Sequence, residues 1–206
     1  MLRGYGGARG ISAAQTVILA CVLERTPGAG PYARLEREQR WLLSRLPDDV
    51  VDPVAIHDRY LTGSTLRLRR MRTGSGPGTV YKLGQKVRAT PDSPERVSLT
   101  NMYLREHEFD LLGQLEGATL DKTRWQWPTG DHVLSVDQFE GNLDGLVLAE
   151  VELREDEARL PALGLAVADV TSEDRFSGVR LAHLSVEEAA LLLASVDELV
   201  RHGGRR

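Results

Sequence analysis

The segment YARLEREQRWLL, residues 32–43, decides the fold, because its charged side chains recur at every second position. Arg34, Glu36, Glu38 and Arg40 follow this rule. Successive side chains of a β-strand point to opposite faces of the sheet. The sequence therefore predicts a strand with one charged face and one face that carries the apolar residues.

The same alternation recurs in three other segments of the chain. The charged pairs are Arg67 and Arg69, Lys122 and Arg124, and Glu150 and Glu152. Such faces are commonly the solvated exterior of half-buried strands. They could instead line the interior of a closed antiparallel barrel. An interior with both signs of charge would suit a metal-bound polyanion, because cations bind phosphate oxygens and carboxylates bind the metal.

Turn residues divide the chain into eight strand-like segments with mostly short connections. These segments are 32–43, 54–61, 65–72, 79–88, 96–104, 118–127, 132–139 and 146–153. Short connections favour antiparallel pairing, since a parallel return needs about a dozen residues or more. The sequence thus predicts an α+β fold, an eight-stranded antiparallel β-barrel with helices packed on the outside.

Two helices are predicted beside the strands. Residues 105–115 form a short amphipathic pattern, and residues 184–202 form a long one that Ser185 and Glu188 open as a capping box. The apolar stripe of the long helix predicts packing against the outside of the barrel. Its residues are Ala190, Leu193, Val196 and Val200, with Leu192 and Leu199 beside them. Trp41, Trp125 and Trp127 lie at positions opposite to the charges, which predicts an exterior core beneath the helices.

Length and composition favour one domain over residues 31–206, preceded by an extension, residues 1–30, that is helical or disordered. Residues 11–23 of this extension also resemble a short secretory signal, but the remainder favours a cytoplasmic protein. The net charge of −4 argues against nucleic acid as the main partner. No apolar tract reaches the roughly 20 residues of a membrane span. The oligomeric state stays open.

The order of these motifs resembles the CYTH superfamily, the triphosphate tunnel metalloenzymes, from about Tyr32 to Ala182. The opening Glu-x-Glu-x-Lys strand of the family resembles residues 36–40, and its Leu-Thr-x-Lys strand resembles residues 83–86. The second and third strands of the family resemble IHDRYLTGSTLRLRR (56–70), and its Lys-x-Arg strand resembles KTR (122–124). Its later acidic strands resemble VDQFEGNLDGLVLAEVEL (136–153), and its closing Glu-Val-Thr segment resembles ADVTSEDRFSGVRLA (168–182).

This resemblance implies a tunnel that binds a small triphosphate with one or two divalent cations, Mg²⁺ or Mn²⁺, and hydrolyses the terminal phosphoanhydride. Among small triphosphates, inorganic tripolyphosphate is the substrate that we expect. A nucleoside or thiamine triphosphatase is an alternative, and so is a module that binds polyphosphate or a phosphorylated partner without turnover.

The resemblance and the charge pattern together predict the site residues. The expected substrate-binding cations are Arg67, Arg69, Lys86, Lys122 and Arg124. The expected metal ligands are Glu36, Glu38, Asp137, Glu150 and Glu152, with Asp169 as a further candidate. The expected catalytic residues are Glu36, Glu38 and Arg40.

Two residues depart from the family pattern. Arg40 stands where the family has lysine, and it keeps the charge but cannot deprotonate. Gly84 replaces the threonine of the Leu-Thr-x-Lys strand, which removes a hydroxyl. Neither change touches the expected metal carboxylates, so the sequence still favours catalysis.

Overall fold

A computed structural model of the chain describes residues 30–74, 78–88 and 95–203. The predicted extension, residues 1–30, lies outside these ranges except for Gly30. The described strands form one antiparallel sheet. They are β1 (Arg34–Leu43), β2 (Val51–Leu61), β3 (Leu66–Thr73), β4 (Thr79–Arg88), β5 (Arg96–Leu104), β6 (Gly117–Thr129), β7 (His132–Phe139), β8 (Val147–Leu153) and β9 (Ala166–Asp169).

Eight of these strands close into a barrel, as the sequence predicts. Their order is β5-β4-β3-β2-β6-β7-β8-β1, and β1 closes the ring by pairing with β5 through Arg34 to Arg37. The short β9, which the sequence did not predict, adds to the same edge of β1 further along, where Trp41 lies opposite Asp169. One edge of β1 therefore pairs with β5 near one end of the barrel and with β9 near the other.

Strand register places the charged side chains inside the barrel. Directly opposed residues of an antiparallel pair project to the same side of the sheet. Arg40 lies opposite Glu150, Arg124 opposite Asp137, and Asp58 opposite Arg69. Since these pairs follow one another around the closed ring, the charged faces of the separate strands converge on one interior.

The exterior core covers the opposite face of β1, β6, β7 and β8. Trp41 and Trp127 are buried there, and Trp125 packs against the same cluster, which confirms their predicted exterior position. Leu160 and Leu163 cover this cluster. The tryptophans therefore lie beneath the segment that follows β8, and not beneath a helix.

The described chain also has three α-helices, α1 (Glu106–Leu112), α2 (Gly178–Ala182) and α3 (Val186–Gly203), and two short 3₁₀-helices, Gly141–Leu143 and Asp174–Phe176. The predicted capping box of α3 is present, because the Ser185 hydroxyl accepts from the Glu188 amide at 3.2 Å and the Glu188 carboxylate accepts from the Ser185 amide at 2.8 Å. Within the described ranges, no helix is long and apolar enough to span a membrane.

Helix α3 lies across one end of the barrel. Its buried Ala189 and Val196 join an apolar cluster with Leu42, Phe139 and Leu148, which face the interior. This cluster, with Val170 and Phe176 from the chain after β9, closes that end. The helix thus lies outside the strands, but its stripe packs across the end of the barrel and not against the outer face of the wall that the sequence predicts.

The buried stripe of α3 differs from its predicted composition at two positions. Ala190 and Leu199 were expected in the stripe, but both are exposed. Ala189 is buried in place of Ala190. Leu192, Leu193 and Val200 pack against the closing cluster as expected.

Gly117 at the start of β6 gives a test of the close pairing between β6 and β2. A Cβ atom at this position would lie 2.5 Å from the Tyr60 carbonyl oxygen, because Gly117 pairs closely with β2. We expect Gly117→Ala to destabilise the fold by about 1–3 kcal/mol in urea unfolding followed by tryptophan fluorescence. Gly164→Ala is the control, because nothing lies within 4 Å of its Cβ position. Equal stability of the two variants would contradict this close approach.

Candidate active site in the barrel interior

Glu38 and Lys86 form an ion pair inside the barrel. Both carboxylate oxygens of Glu38 accept from the Lys86 ammonium, at 2.6 and 2.7 Å. Glu38 lies on β1 and Lys86 on β4, and β5 separates these strands in the barrel order. The pair therefore links two parts of the wall that share no backbone hydrogen bonds. Only 8% of Glu38 is exposed.

Asp58 is a buried carboxylate that joins two predicted substrate-binding arginines. It accepts from Arg69 at 2.6 and 2.7 Å, and Arg67 Nε lies 3.5 Å from it. Burial by itself raises the pKa of Asp58, but the charge of Arg67 and the hydrogen bonds from Arg69 outweigh that effect and lower the pKa to about 2. Asp58 is therefore ionised at neutral pH, is hydrogen-bonded to Arg69 and forms an ion pair with Arg67.

The sequence reasoning missed Asp58. It is a lone acid between Ile56 and Tyr60, so its segment lacks the charge alternation of the other strands. The signal was its position in the hairpin with β3, whose turn at Thr62 and Gly63 places it opposite Arg69.

Asp137 has a similar arrangement with two other predicted substrate-binding residues. Its carboxylate accepts from Arg124 at 2.6 and 2.7 Å and from the Lys122 ammonium. Burial opposes ionisation, but the charges of Arg124 and Lys122 hold the pKa of Asp137 far below its usual range. Burial lowers the pKa of Lys122 to about 8 despite the charge of Asp137. In this structure Asp137 is thus a partner of cations.

Glu36, Glu38, Glu150 and Glu152 form what we call the acidic wall, on the adjacent strands β1 and β8, where Glu38 lies directly opposite Glu152. Burial, followed by the charges of Glu152 or Glu150, raises the pKa values of Glu36 and Glu38, although Lys86 opposes this shift. Like charges opposite each other on a sheet repel. Arg34 donates to Glu152.

The predicted cations lie on other strands. We call Arg67, Arg69, Lys86, Lys122 and Arg124 the basic wall; they come from β3, β4 and β6. Glu150 is influenced by both walls, because burial raises its pKa but the charges of Lys86 and Arg124 outweigh this and lower it. Within the described ranges, no three acidic, histidine or cysteine side chains form a preformed metal cage.

Arg40 faces the interior opposite Glu150, but its guanidinium is tied to the closed end of the barrel. It donates to the Phe176 carbonyl at 3.2 Å, and its backbone amide donates to the Thr171 hydroxyl at 3.0 Å. Arg40 therefore attaches β1 to the segment between β9 and α2. This structural contact explains an arginine at position 40, and it requires no proton transfer by that residue.

Asp169 and Gly84 complete the predicted set. Asp169 lies opposite Trp41 on the exterior side, and its carboxylate accepts from Gln39 and Arg159, so it lies apart from both walls. A Cβ atom at Gly84 would lie 3.0 Å from Asn101 Oδ1 and 3.6 Å from Arg67 Nη2. The Asn101 and Arg67 side chains thus border the space that a threonine side chain would use.

Comparison with solved structures supports this fold. The inorganic triphosphatase NE1496 matches with a TM-score of 0.50 and 25% identity, over 73% of this chain and 95% of NE1496. The chain has the tunnel fold of the CYTH superfamily. A second structure of NE1496, described as a hypothetical protein, also has a TM-score of 0.50 and 25% identity, over 71% of this chain and 97% of its own length.

More distant structures resemble the CYTH chain as well. The PH1819 protein from Pyrococcus horikoshii OT3 matches with a TM-score of 0.44 and 17% identity, over 80% of this chain and 89% of its own. No family model matches the chain, and no curated protein matches it.

Asp58→Asn tests the pairing inside the CYTH barrel. The substitution leaves Arg67 and Arg69 without their buried anion, so we expect a loss of about 3–5 kcal/mol in urea unfolding at pH 7. Asp131→Asn in the exposed β6–β7 turn is the control.

The stability of wild type and of Asp58→Asn can also be compared at acidic pH. The folded-state pKa of Asp58 is about 2 against an ordinary value of 3.8, so its contribution is present above pH 3.8 and is lost as the pH falls towards 2. The lost contribution is about 2 kcal/mol. The stability difference between wild type and Asp58→Asn should therefore shrink over this window, and a constant difference would contradict the assignment.

Proposed function

We propose that this protein hydrolyses the terminal phosphoanhydride of a small triphosphate, with inorganic tripolyphosphate as the preferred substrate and Mg²⁺ or Mn²⁺ as the required ion. One observation carries the proposal: an acidic wall and a basic wall face one interior, and Lys86 bonds across to Glu38. The likeness to the inorganic triphosphatase NE1496 supports the same reaction class.

The basic wall binds the phosphate chain in this proposal. A triphosphate carries about four negative charges near neutral pH, because its terminal ionisation lies near pH 6. Arg67, Arg69 and Arg124 offer planar donors that bind phosphate oxygens in pairs, and Lys86 and Lys122 add compact charges. Asp58 and Asp137 hold the arginines in place, so these groups need little reordering when the substrate enters.

The acidic wall fits a hard divalent cation. Its donors are carboxylate oxygens, and a shared cation would relieve the repulsion of Glu38 by Glu150 and of Glu36 by Glu152. We therefore assign the metal to Glu36, Glu38, Glu150 and Glu152. A bound Mg²⁺ or Mn²⁺ would polarise the phosphoryl oxygens and lower the pKa of a water molecule. Asp137, which the sequence also predicts as a ligand, keeps its cations in this proposal.

Lys86 connects the two roles. Its ammonium now neutralises Glu38, and phosphate oxygens are an equivalent partner for it. If Lys86 moves to the phosphate chain, Glu38 is left available for the metal. Arg40 acts by position, because it cannot deprotonate and its guanidinium holds the closed end beside Glu38.

A phosphate-binding module without turnover is the second candidate. The observation that favours it is that, in the part of the chain the structure describes, the acidic side chains do not converge into a cage. Binding of tripolyphosphate in EDTA, with no phosphate released when Mg²⁺ or Mn²⁺ is added, would select this module over the enzyme.

The double substitution Glu36→Gln and Glu38→Gln tests the acidic wall. We expect phosphate release from tripolyphosphate in Mn²⁺ to fall by roughly 100-fold or more, because two charged ligands are lost. Melting temperature should change little, since amides occupy the same space. Glu187→Gln with Glu198→Gln on the exposed face of α3 is the matched control. Unchanged release in the first variant would remove these glutamates from the ligand set.

Single substitutions in the basic wall test substrate binding. Arg67→Ala and Lys86→Ala each remove a charged donor worth about 1.5–3 kcal/mol, so we expect the KM for tripolyphosphate to rise about 10- to 100-fold. The value of kcat should change less. Arg70→Ala on the outer face of β3 is the control, because it removes an equal charge outside the barrel. A saturation curve unaffected by Arg67→Ala would contradict the assignment.

A further inference from the structure

The outer face of β1, β5 and β4 carries an apolar surface where the barrel closes. Leu35 of β1 lies opposite Ser98 of β5, which lies opposite Val87 of β4. Further along β5, Met102 lies opposite Leu83 of β4. We call Leu35, Leu83, Val87 and Met102 the outer patch. Each of them alternates with residues of the interior, so all four face outward.

The outer patch is open in the described chain. Met102 is 59% exposed and Leu35 is 49% exposed. None of the four residues belongs to either apolar cluster. Of the described helices, α1 packs on β4 where the Phe109 and Tyr81 rings lie 4.9 Å apart, and α3 lies at the closed end. Exposed apolar side chains that share one surface are typical of an interaction site.

The chain reaches this surface from residues before Gly30, which lie outside the described ranges. Within those ranges, β1 pairs with β5 only from Arg34 to Arg37, and we call this pairing the seam. Directly upstream, the Gly30 carbonyl accepts from the Ala33 amide at 3.0 Å in a turn. The preceding segment is therefore attached beside Leu35, at the edge of the outer patch.

Residues 11–23 (ISAAQTVILACVL) have the composition that an apolar surface requires. Ten of these 13 residues are apolar and none is charged. Such a segment gains free energy by leaving water. Leu23 lies seven residues before Gly30, which allows a reach of up to about 24 Å. The outer patch extends about 13 Å along β5 and about 10 Å across two strand spacings, so the segment can cover it.

We propose that residues 11–23 dock on the outer patch of their own chain and cover the seam from outside. The tether favours this occupant over a second copy, because a short linker holds the segment at an effective concentration on the order of millimolar. A segment of this length is too short for a membrane span, which needs roughly 20 residues. The docked segment stabilises the seam, behind which Lys86 bonds to Glu38. This inference is independent of the proposed hydrolysis.

Cross-linking from Cys21 tests the docking, because Cys21 is the one cysteine of the chain. In the full chain, Met102→Cys should link to Cys21 through a short bismaleimide at least about tenfold faster than Arg154→Cys does. Arg154 is the matched control, because it is exposed and directly follows β8, the neighbour of β1 on its other edge. Electrophoresis and peptide mass spectrometry separate links within one chain from links between chains.

A charge placed in the segment gives a second measurement. Ile18→Asp, combined with Met102→Cys, should slow the link to Cys21 about tenfold, because docking would then bury a carboxylate. Ser12→Asp in the same background is the control, since it adds the same charge at a position that is already polar. Circular dichroism should show the same barrel in all variants.

Three results would overturn the docking of residues 11–23. The first is an equal linking rate for Met102→Cys and Arg154→Cys, or a rate that Ile18→Asp leaves unchanged. The second is linkage only between chains, which would assign the outer patch to a second copy. The third is an intact mass of the wild type that shows cleavage before Cys21, because the segment is then removed from the protein.

Discussion

Pairing of buried charges inside a closed barrel is the constraint on which this structure depends. An unpaired buried ion costs several kcal/mol, so each enclosed carboxylate needs a cation within reach. Asp58 meets this need with Arg69, and Asp137 meets it with Arg124. These partners lie on neighbouring strands, and a shift of register by one residue would move each of them to the opposite face. The charge pattern therefore specifies the strand register as well as the chemistry of the interior.

The barrel interior has three layers along its axis. Leucine and phenylalanine side chains close the end beneath α3, ion pairs occupy the middle, and Met71, Val80 and Tyr103 border the other end. Arg40 joins the first two layers, because it faces Glu150 and donates to the Phe176 carbonyl.

Period-two alternation predicted one shared charged face on each of β1, β3, β6 and β8, and turn residues separated the other four barrel strands. Asp58 could not be found this way, since one acid in a strand has no period, and its partners come from the hairpin register. The closed end was also missed. Leu42 and Phe139 look like ordinary core residues in sequence, and only the three-dimensional fold places them at one end of the charged interior.

In the proposed function, ion pairing also links substrate binding to metal binding. Because Lys86 neutralises Glu38, a phosphate chain that takes Lys86 leaves the acidic wall with an uncompensated negative charge. A cation at this wall removes that cost, and by the same thermodynamic cycle a cation bound first leaves Lys86 without its partner and strengthens phosphate binding. Both walls are already desolvated in the folded barrel. Moving Lys86 from Glu38 to a phosphate oxygen therefore replaces one enclosed ion pair with another. The two ligands would therefore bind cooperatively through a single lysine that spans the interior.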